Sequence, residues 1–207
     1  MSVRIEKLVT SGTFSLDGGT WDVDNNVWII GNDDECIIID SPHDAAAIID
    51  QVRGRKVLGI LLTHAHNDHI GAARQVAETV NAPVYLHPDD VVLWEQVYLD
   101  VQPDKQLKDG DVFQIAGAEL RALHTPGHSP GSSCFLLAEQ NVVFTGDTLF
   151  NGGPGATGRS YSDYPTILAS IQDKLLALPD ETVVHTGHGE DTTIGAERLT
   201  LASLATD

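Results

Sequence analysis

The chain has 207 residues, 42% of them hydrophobic and 20% charged, an ordinary composition for a globular protein with a full core. Thirty Asp and Glu against twelve Lys and Arg give a formal charge of −18, which argues against a nucleic-acid partner, whose phosphates need basic patches. No apolar run approaches the roughly 18 residues of a membrane span, and the N-terminus shows no basic, apolar, then small-residue leader, so a soluble, cytoplasmic protein with no membrane partner is expected.

In chain order, residues 4–10 read as an edge strand, and Asp17-Gly18-Gly19 is a turn signal. Residues 26–31 and 35–40 form a hairpin around Gly31-Asn32-Asp33-Asp34. After Ser41-Pro42, residues 43–53 place Ala46, Ile49 and Val52 at helical spacing. The apolar run Val57-Leu58-Gly59-Ile60-Leu61-Leu62 reads as a buried strand. A helix over 69–80 follows, with Ile70, Ala73, Val76 and Val80 on one face, then a short strand over 83–87.

The later part is β-rich, with strands expected over 112–115, 118–123, 132–137 and 141–145. A glycine-rich loop over 151–158 precedes a helix over 162–178, a strand over 182–186 and a last amphipathic helix. Strands and helices recur in the same order in both halves, with no linker between them. That order predicts an α/β chain of one domain, 1–207, folded as a four-layer αββα sandwich. Cys36 and Cys134 fall in apolar runs; they read as buried free thiols, with a disulfide between them as the alternative.

The densest chemical signal is Thr63-His64-Ala65-His66-Asn67-Asp68-His69, which puts three of nine histidines and a carboxylate directly after a buried strand. Imidazole and carboxylate are the side chains that hold zinc and similar ions. In a core each would need its own hydrogen-bond partner, so a metal site is the simpler account. Three later strand-like runs also end on possible ligands, His128, Asp147 and His188, each beside glycine. His43, His87, His124 and His185 read as structural or surface residues.

His64-Ala65-His66-Asn67-Asp68-His69 resembles the His-x-His-x-Asp-His signature of the metallo-β-lactamase superfamily. The segments around His128, Asp147 and His188 are similar to that family's other metal motifs in order and spacing. The likeness spans almost the whole chain and implies the same αββα fold. It implies one metal on His64, His66 and His128, and a second on Asp68, His69 and His188, with Asp147 bridging. Asp68 and Asp147 would serve the catalysis as well as the metals. The cofactors implied are two divalent ions, zinc first, with iron or manganese accepted by the same donors.

Within that family, Thr145-Gly146-Asp147-Thr148-Leu149-Phe150, Gly158-Arg159 and Thr186-Gly187-His188-Gly189 look like the glyoxalase II branch. Asp147 stands where the zinc-dependent lactamases carry cysteine, which argues against drug hydrolysis. The nineteen residues after His188 leave no room for the helical domain that binds glutathione in that branch. The opening segment 9–28 resembles members from bacteria that use mycothiol.

The activity implied is hydrolysis of a small-molecule thioester by a hydroxide bridging two metals, with S-acyl mycothiol a candidate substrate. Two alternatives stay open: a mononuclear iron oxidoreductase of the persulfide dioxygenase type, and a lactone hydrolase. The chain sets no oligomeric state.

Three further readings concern single residues. Asp40 reads as orienting a ligand imidazole, or else as an ordinary turn aspartate. Arg159, Tyr161 and Tyr164 lie near the substrate pocket, with Arg159 tied to a carboxylate as the favoured alternative. Trp21 and Trp28 form a pocket wall or, more often for tryptophan, are buried. The glycine-rich stretch lacks the Gly-Lys-Ser/Thr ending of a phosphate loop.

Overall fold

Alternation along the strands decides the layering. In β3 (Glu35–Ile39), Cys36 and Ile38 face one way while Ile37 and Ile39 face the other, and all four are buried. A strand with both faces buried needs a layer on each side. The computed structural model, which describes residues 3–204, supplies them. Cys36 and Ile38 pack with Ala45, Ile48 and Val52 of α1 (Ala45–Val52) and with Ala73 and Val76 of α3 (Ala73–Val80). Ile37 and Ile39 pack with Leu120, Phe135 and Phe144 of a second sheet. The far face of that sheet, Cys134, Val143 and Val184, meets Ile167, Ile171 and Ile194 from the C-terminal helices. The order is helix, sheet, sheet, helix, an αββα sandwich.

The first sheet runs β1 (Arg4–Leu16), β2 (Gly19–Gly31), β3, β4 (Lys56–Leu61), β5 (Val84–Leu86) and β6 (Lys105–Gln106), in that order. The second contains β7 (Val112–Ile115), β8 (Ala118–His124), β9 (Ser133–Leu137), β10 (Val142–Gly146), β13 (Val183–Thr186) and β14 (Thr192–Thr193). Its spatial order is β14-β13-β10-β9-β8-β7. Two short strands, β11 (Leu149–Phe150) and β12 (Gly153–Pro154), pair separately.

Several elements differ from the sequence reading. β1 and β2 are thirteen residues each and pair in register from Arg4↔Gly31 to Leu16↔Gly19. The polar outer half, rich in Ser, Thr and Asp, hides its alternation. The expected helix over 69–80 is two pieces, α2 (Asn67–Ile70) and α3, broken at Gly71 and Ala72. The backbone of Ser41 intrudes there: its N–H donates to the His69 carbonyl at 2.9 Å, and its carbonyl accepts from Ala72 N–H at 2.9 Å.

Helix α4 (Val91–Val97) was not expected, because Val91-Val92-Leu93-Trp94 has strand-like composition; burial of Leu93 and Trp94 overrides that. The helix expected over 162–178 is α5 (Tyr164–Ser170), capped by Asp163, followed by a π turn over Ile171–Leu175. The last helix, α6 (Ile194–Leu204), is not cleanly amphipathic: Glu197 is buried and Leu199 is 74% exposed. Cys36 and Cys134 are buried free thiols, so the disulfide is excluded.

Phe144 is fully buried between the sheets, edge-on to Trp28 at 5.8 Å. Phe144→Ala is expected to cost about 3–5 kcal/mol, read from the denaturation midpoint at unchanged m-value.

Candidate metal centre

Strand direction brings the distant histidines together. β8 and β10 both pair antiparallel with β9, and β13 pairs parallel with β10. These three strands therefore share a direction, and the loops carrying His128, Asp147 and His188 leave from one edge. β4 delivers His64, His66, Asp68 and His69 to the same place. The two sheets are stitched there, where Ser133 N–H donates to the Thr63 carbonyl at 2.8 Å. Asn26 N–H of β2 likewise donates across to the Gly187 carbonyl at 2.8 Å. Gly187 must be glycine, because a Cβ would sit 2.3 Å from Asp147 Oδ1.

All seven expected side chains converge. His66 Nδ1 lies 3.0 Å from His64 Nε2 and 3.0 Å from His128 Nε2. In a second group, His69 Nε2 and His188 Nε2 are 3.2 Å apart, and Asp68 Oδ2 is 3.6 and 3.4 Å from them. Asp147 touches both groups. Its Oδ1 is 3.3 Å from His69 Nε2, and its Oδ2 is 3.6 Å from His128 Nε2 and 3.4 Å from His188 Nε2.

The outer ring nitrogens fix which atoms point inward. His128 Nδ1–H donates to the Ala156 carbonyl at 2.9 Å, and His188 Nδ1–H to the Asp24 carbonyl at 2.7 Å. A carbonyl only accepts, so in the neutral form of either ring it is the inner Nε2 that carries the lone pair. Asp40, buried with φ of 60°, accepts from His69 Nδ1–H at 2.8 Å. It also accepts from Thr63 N–H and Thr63 Oγ1–H, both at 2.7 Å. With its hydroxyl proton spent on Asp40, Thr63 Oγ1 accepts from His64 Nδ1–H at 3.1 Å. The orienting role expected of Asp40 is thus what its contacts describe.

This donor set fits metal ions. Converging lone pairs repel unless a cation lies among them. Ligands at about 2.0–2.1 Å from a tetrahedral zinc ion lie roughly 3.3 Å apart, close to the spacings above. Within the donor set, Asp147 Oδ1 is buried without a hydrogen-bond partner among the described residues, which is costly in a site built for hydrogen bonding alone.

The electrostatics agree. Burial drives His64 well below the usual imidazole range and His66 down to about 3, so both stay neutral donors. Burial also opposes charge on His188, yet the adjacent Asp147 carboxylate outweighs it and lifts His188 to about 10. Burial would raise Asp147, but His188 and His69 hold it well below the carboxylate range. The carboxylate half of the site demands positive charge.

The other residues singled out divide. Trp28 is buried, but Trp21 is 41% exposed and walls a cavity over the ligands with Phe14, Val23 and Ala156. Arg159 lines that cavity and has no carboxylate partner among the described residues; its guanidinium stacks 3.9 Å over Trp21 instead. Tyr161 and Tyr164 are half exposed and do not line it. In the glycine-rich loop, Gly152 N–H donates to the buried Glu197 carboxylate, which puts a negative charge where a phosphate cradle would need none. His185 stacks on Trp28 and bonds Asp191, and His87 stacks on His124 at 3.9 Å, a pair that with Asp89 forms a separate cluster of possible metal donors outside the cavity.

Two residues escaped sequence reasoning. Asp90, fully buried, accepts from Ala65 N–H, Ser129 Oγ–H and Gly131 N–H, clasping the two loops that carry His66 and His128. Burial pushes its carboxyl up, against those hydrogen bonds. In sequence, Pro88-Asp89-Asp90 is only a turn. Asn25, also fully buried, places its amide within 3.4 Å of Asp68, His69 and His188; nothing in Asp24-Asn25-Asn26 signals it.

The chain is similar to known proteins in sequence and in fold. The sequence profile of the metallo-beta-lactamase superfamily matches residues 20–188. The hydroxyacylglutathione hydrolase GloC of Haemophilus influenzae is 37% identical over 185 residues, covering 80% of this chain and 86% of that protein. The crystal structure of TTHA1623 in a di-iron-bound form superposes with a TM-score of 0.77 at 34% identity, covering 92% of this chain and 98% of that one. That of BLEG-1, a B3 metallo-beta-lactamase, gives 0.74 at 36% identity, covering 90% and 95%.

Asp40→Ala is expected to weaken metal binding by about 10–100-fold while the other ligands remain, measured by competition with a coloured chelator.

Proposed function

The chain belongs to the metallo-beta-lactamase superfamily, and within it we propose a dinuclear metal-dependent thioesterase of the glyoxalase II type. Its substrate would be an S-acyl derivative of a small thiol. His64, His66 and His128 would hold one divalent ion and Asp68, His69 and His188 the other, with Asp147 reaching both. Two such ions would supply a water acidic enough to attack at neutral pH and a Lewis acid for the carbonyl.

The observation that carries the thioester reading is what the cavity lacks. Apart from the proposed ligands, its polar side chains are Arg159, Ser160 and Ser162. A guanidinium never gives up its proton in proteins, and a serine hydroxyl is a poor acid. An amine leaving group needs a general acid; a thiol with pKa near about 8.5 leaves as thiolate without one. Phe14 and Trp21 offer an apolar wall to the acyl thioester, and Arg159 is the one Lys or Arg among the cavity's lining residues. The likeness to GloC, whose name states a hydroxyacylglutathione hydrolase, supports the same class. Mycothiol stays a candidate carrier on the sequence resemblance alone.

The roles left to the protein are positional. Asp40, through Thr63 and His69, keeps lone pairs aimed inward, and the Ala156 and Asp24 carbonyls do the same for His128 and His188. The likeness to BLEG-1 favours a second reading, β-lactam hydrolysis, which the missing general acid counts against.

The test is thiol release from acyl-glutathione, acyl-mycothiol and simple acyl thioesters, beside a homoserine lactone, a chromogenic β-lactam and oxygen uptake with a persulfide. Thioester cleavage is expected to dominate. It should vanish on chelation and return with zinc, iron or manganese. Asp147→Ala should reduce it to background with the fold retained by circular dichroism. Near-normal turnover by that variant, or by metal-stripped protein, would refute the proposal.

A further inference from the structure

Asn25 sits within hydrogen-bond distance of all three members of the second donor group. Its side chain is fully buried. Its Nδ2 lies 3.1 Å from Asp68 Oδ2, 3.2 Å from His69 Nε2 and 3.4 Å from His188 Nε2. Those three atoms are themselves 3.2, 3.4 and 3.6 Å apart. The six distances describe a nearly regular tetrahedron with Asn25 at the fourth corner. A tetrahedron of that size has its corners about 2.0 Å from its centre, the reach of zinc to imidazole nitrogen and to oxygen.

The two ends of a carboxamide have the same shape, and which end faces inward follows from the partners around it. With nitrogen inward, its N–H groups donate to Asp68 and to the imidazole lone pairs. A cation among those donors would meet the positive end of the amide dipole. Turning the amide by half a rotation puts Oδ1, a hard neutral donor, at the same corner. The outer end permits this. His43 Nε2, 2.8 Å from Asn25 Oδ1, donates in one orientation, and as the other neutral tautomer accepts from the amide N–H in the reverse one.

We propose that Asn25 is a ligand of the second cation, its carbonyl oxygen joining Asp68, His69, His188 and Asp147, with His43 holding the amide in place. The first position, built from three imidazoles, has no such residue. Carboxamide oxygen is a weak, uncharged ligand for zinc and suits harder ions better. The second position should therefore be the weaker and less zinc-selective of the two.

This inference rests on the two-ion part of the reading above, and counting metal tests it without turnover. Metal-stripped protein is titrated with Zn2+, and bound equivalents are followed by elemental analysis and chelator competition. The wild type is expected to hold two equivalents. Asn25→Leu, similar in size but with no donor atom, should bind the first equivalent unchanged and the second at least about tenfold more weakly.

Asn25→Asp separates ligation from hydrogen bonding, since a carboxylate can ligate but cannot donate to Asp68. It should hold the second equivalent at least as tightly as the wild type. The proposal is overturned if Asn25→Asp loses the second ion as Asn25→Leu does, because the amide then acts only as a donor. It is also overturned if Asn25→Leu keeps both ions at wild-type affinity, if the wild type binds one, or if both variants lose the first equivalent too. A protein that binds two ions as expected but cleaves no thioester sinks the thioesterase and leaves this assignment standing.

Discussion

Negative charge sealed beneath an apolar cavity governs this molecule. Asp68 and Asp147 lie among five imidazoles, and Asp40 and Asp90 are buried close behind. Burying even one carboxylate costs several kcal/mol unless it is paired or hydrogen-bonded. Asp40 and Asp90 are satisfied by protein donors, three contacts each. Asp68 and Asp147 each keep a buried oxygen with no such partner. The division is chemical: one pair of carboxylates is spent on holding loops and rings, and the other stands among the imidazoles of the site.

The sandwich serves that arrangement by alignment. No single strand could present seven such ligands, because successive side chains of a strand point to opposite faces. Strand ends avoid the limit. β4 from one sheet and β8, β10 and β13 from the other terminate together, so four loops meet over the shared core of Trp28, Leu61, Phe135 and Phe144. Rigid strands below and short glycine-bearing loops above hold the donors at fixed spacing. The long β1–β2 hairpin then covers the site from the side. Asn67 clamps it, accepting from Ser15 N–H and donating to the Thr13 carbonyl, both at 2.8 Å, and Asp17 accepts from Ser160 N–H at 2.9 Å. The hairpin thereby brings Phe14 and Trp21 over residues contributed by both sheets.

Activity in such a site is set as much by what is absent as by what is present. A cavity with apolar walls, one guanidinium and two hydroxyls holds few groups suited to protonating a departing atom, which is the ground for the thioester proposal. Arg159 stacked on Trp21 places its charge at the cavity wall, with no salt bridge among the described residues.

The side chains that converge at the site were legible in the sequence because each follows an apolar strand run and sits beside glycine or in one dense histidine motif. Those are local patterns, and physics ties them to strand ends and tight turns. The layered core was legible from the recurring order of strands and helices in the two halves, and burial of Cys36, Ile37, Ile38 and Ile39 on both faces of β3 agrees with it. What the chain order could not express were contacts closed across tens of residues. Asn25 lies 163 positions from His188, and Asp90 reaches Ser129 across 39. In isolation each is a polar residue in a strand or a turn. The break at Gly71, set by the Ser41 backbone, and helix α4, imposed by burial of Trp94 against strand-like composition, also belong to packing. Local sequence determined which groups could bind metal; only the tertiary fold decided which amide and which carboxylate stand beside them, because those choices are made by distances that no spacing along the chain encodes.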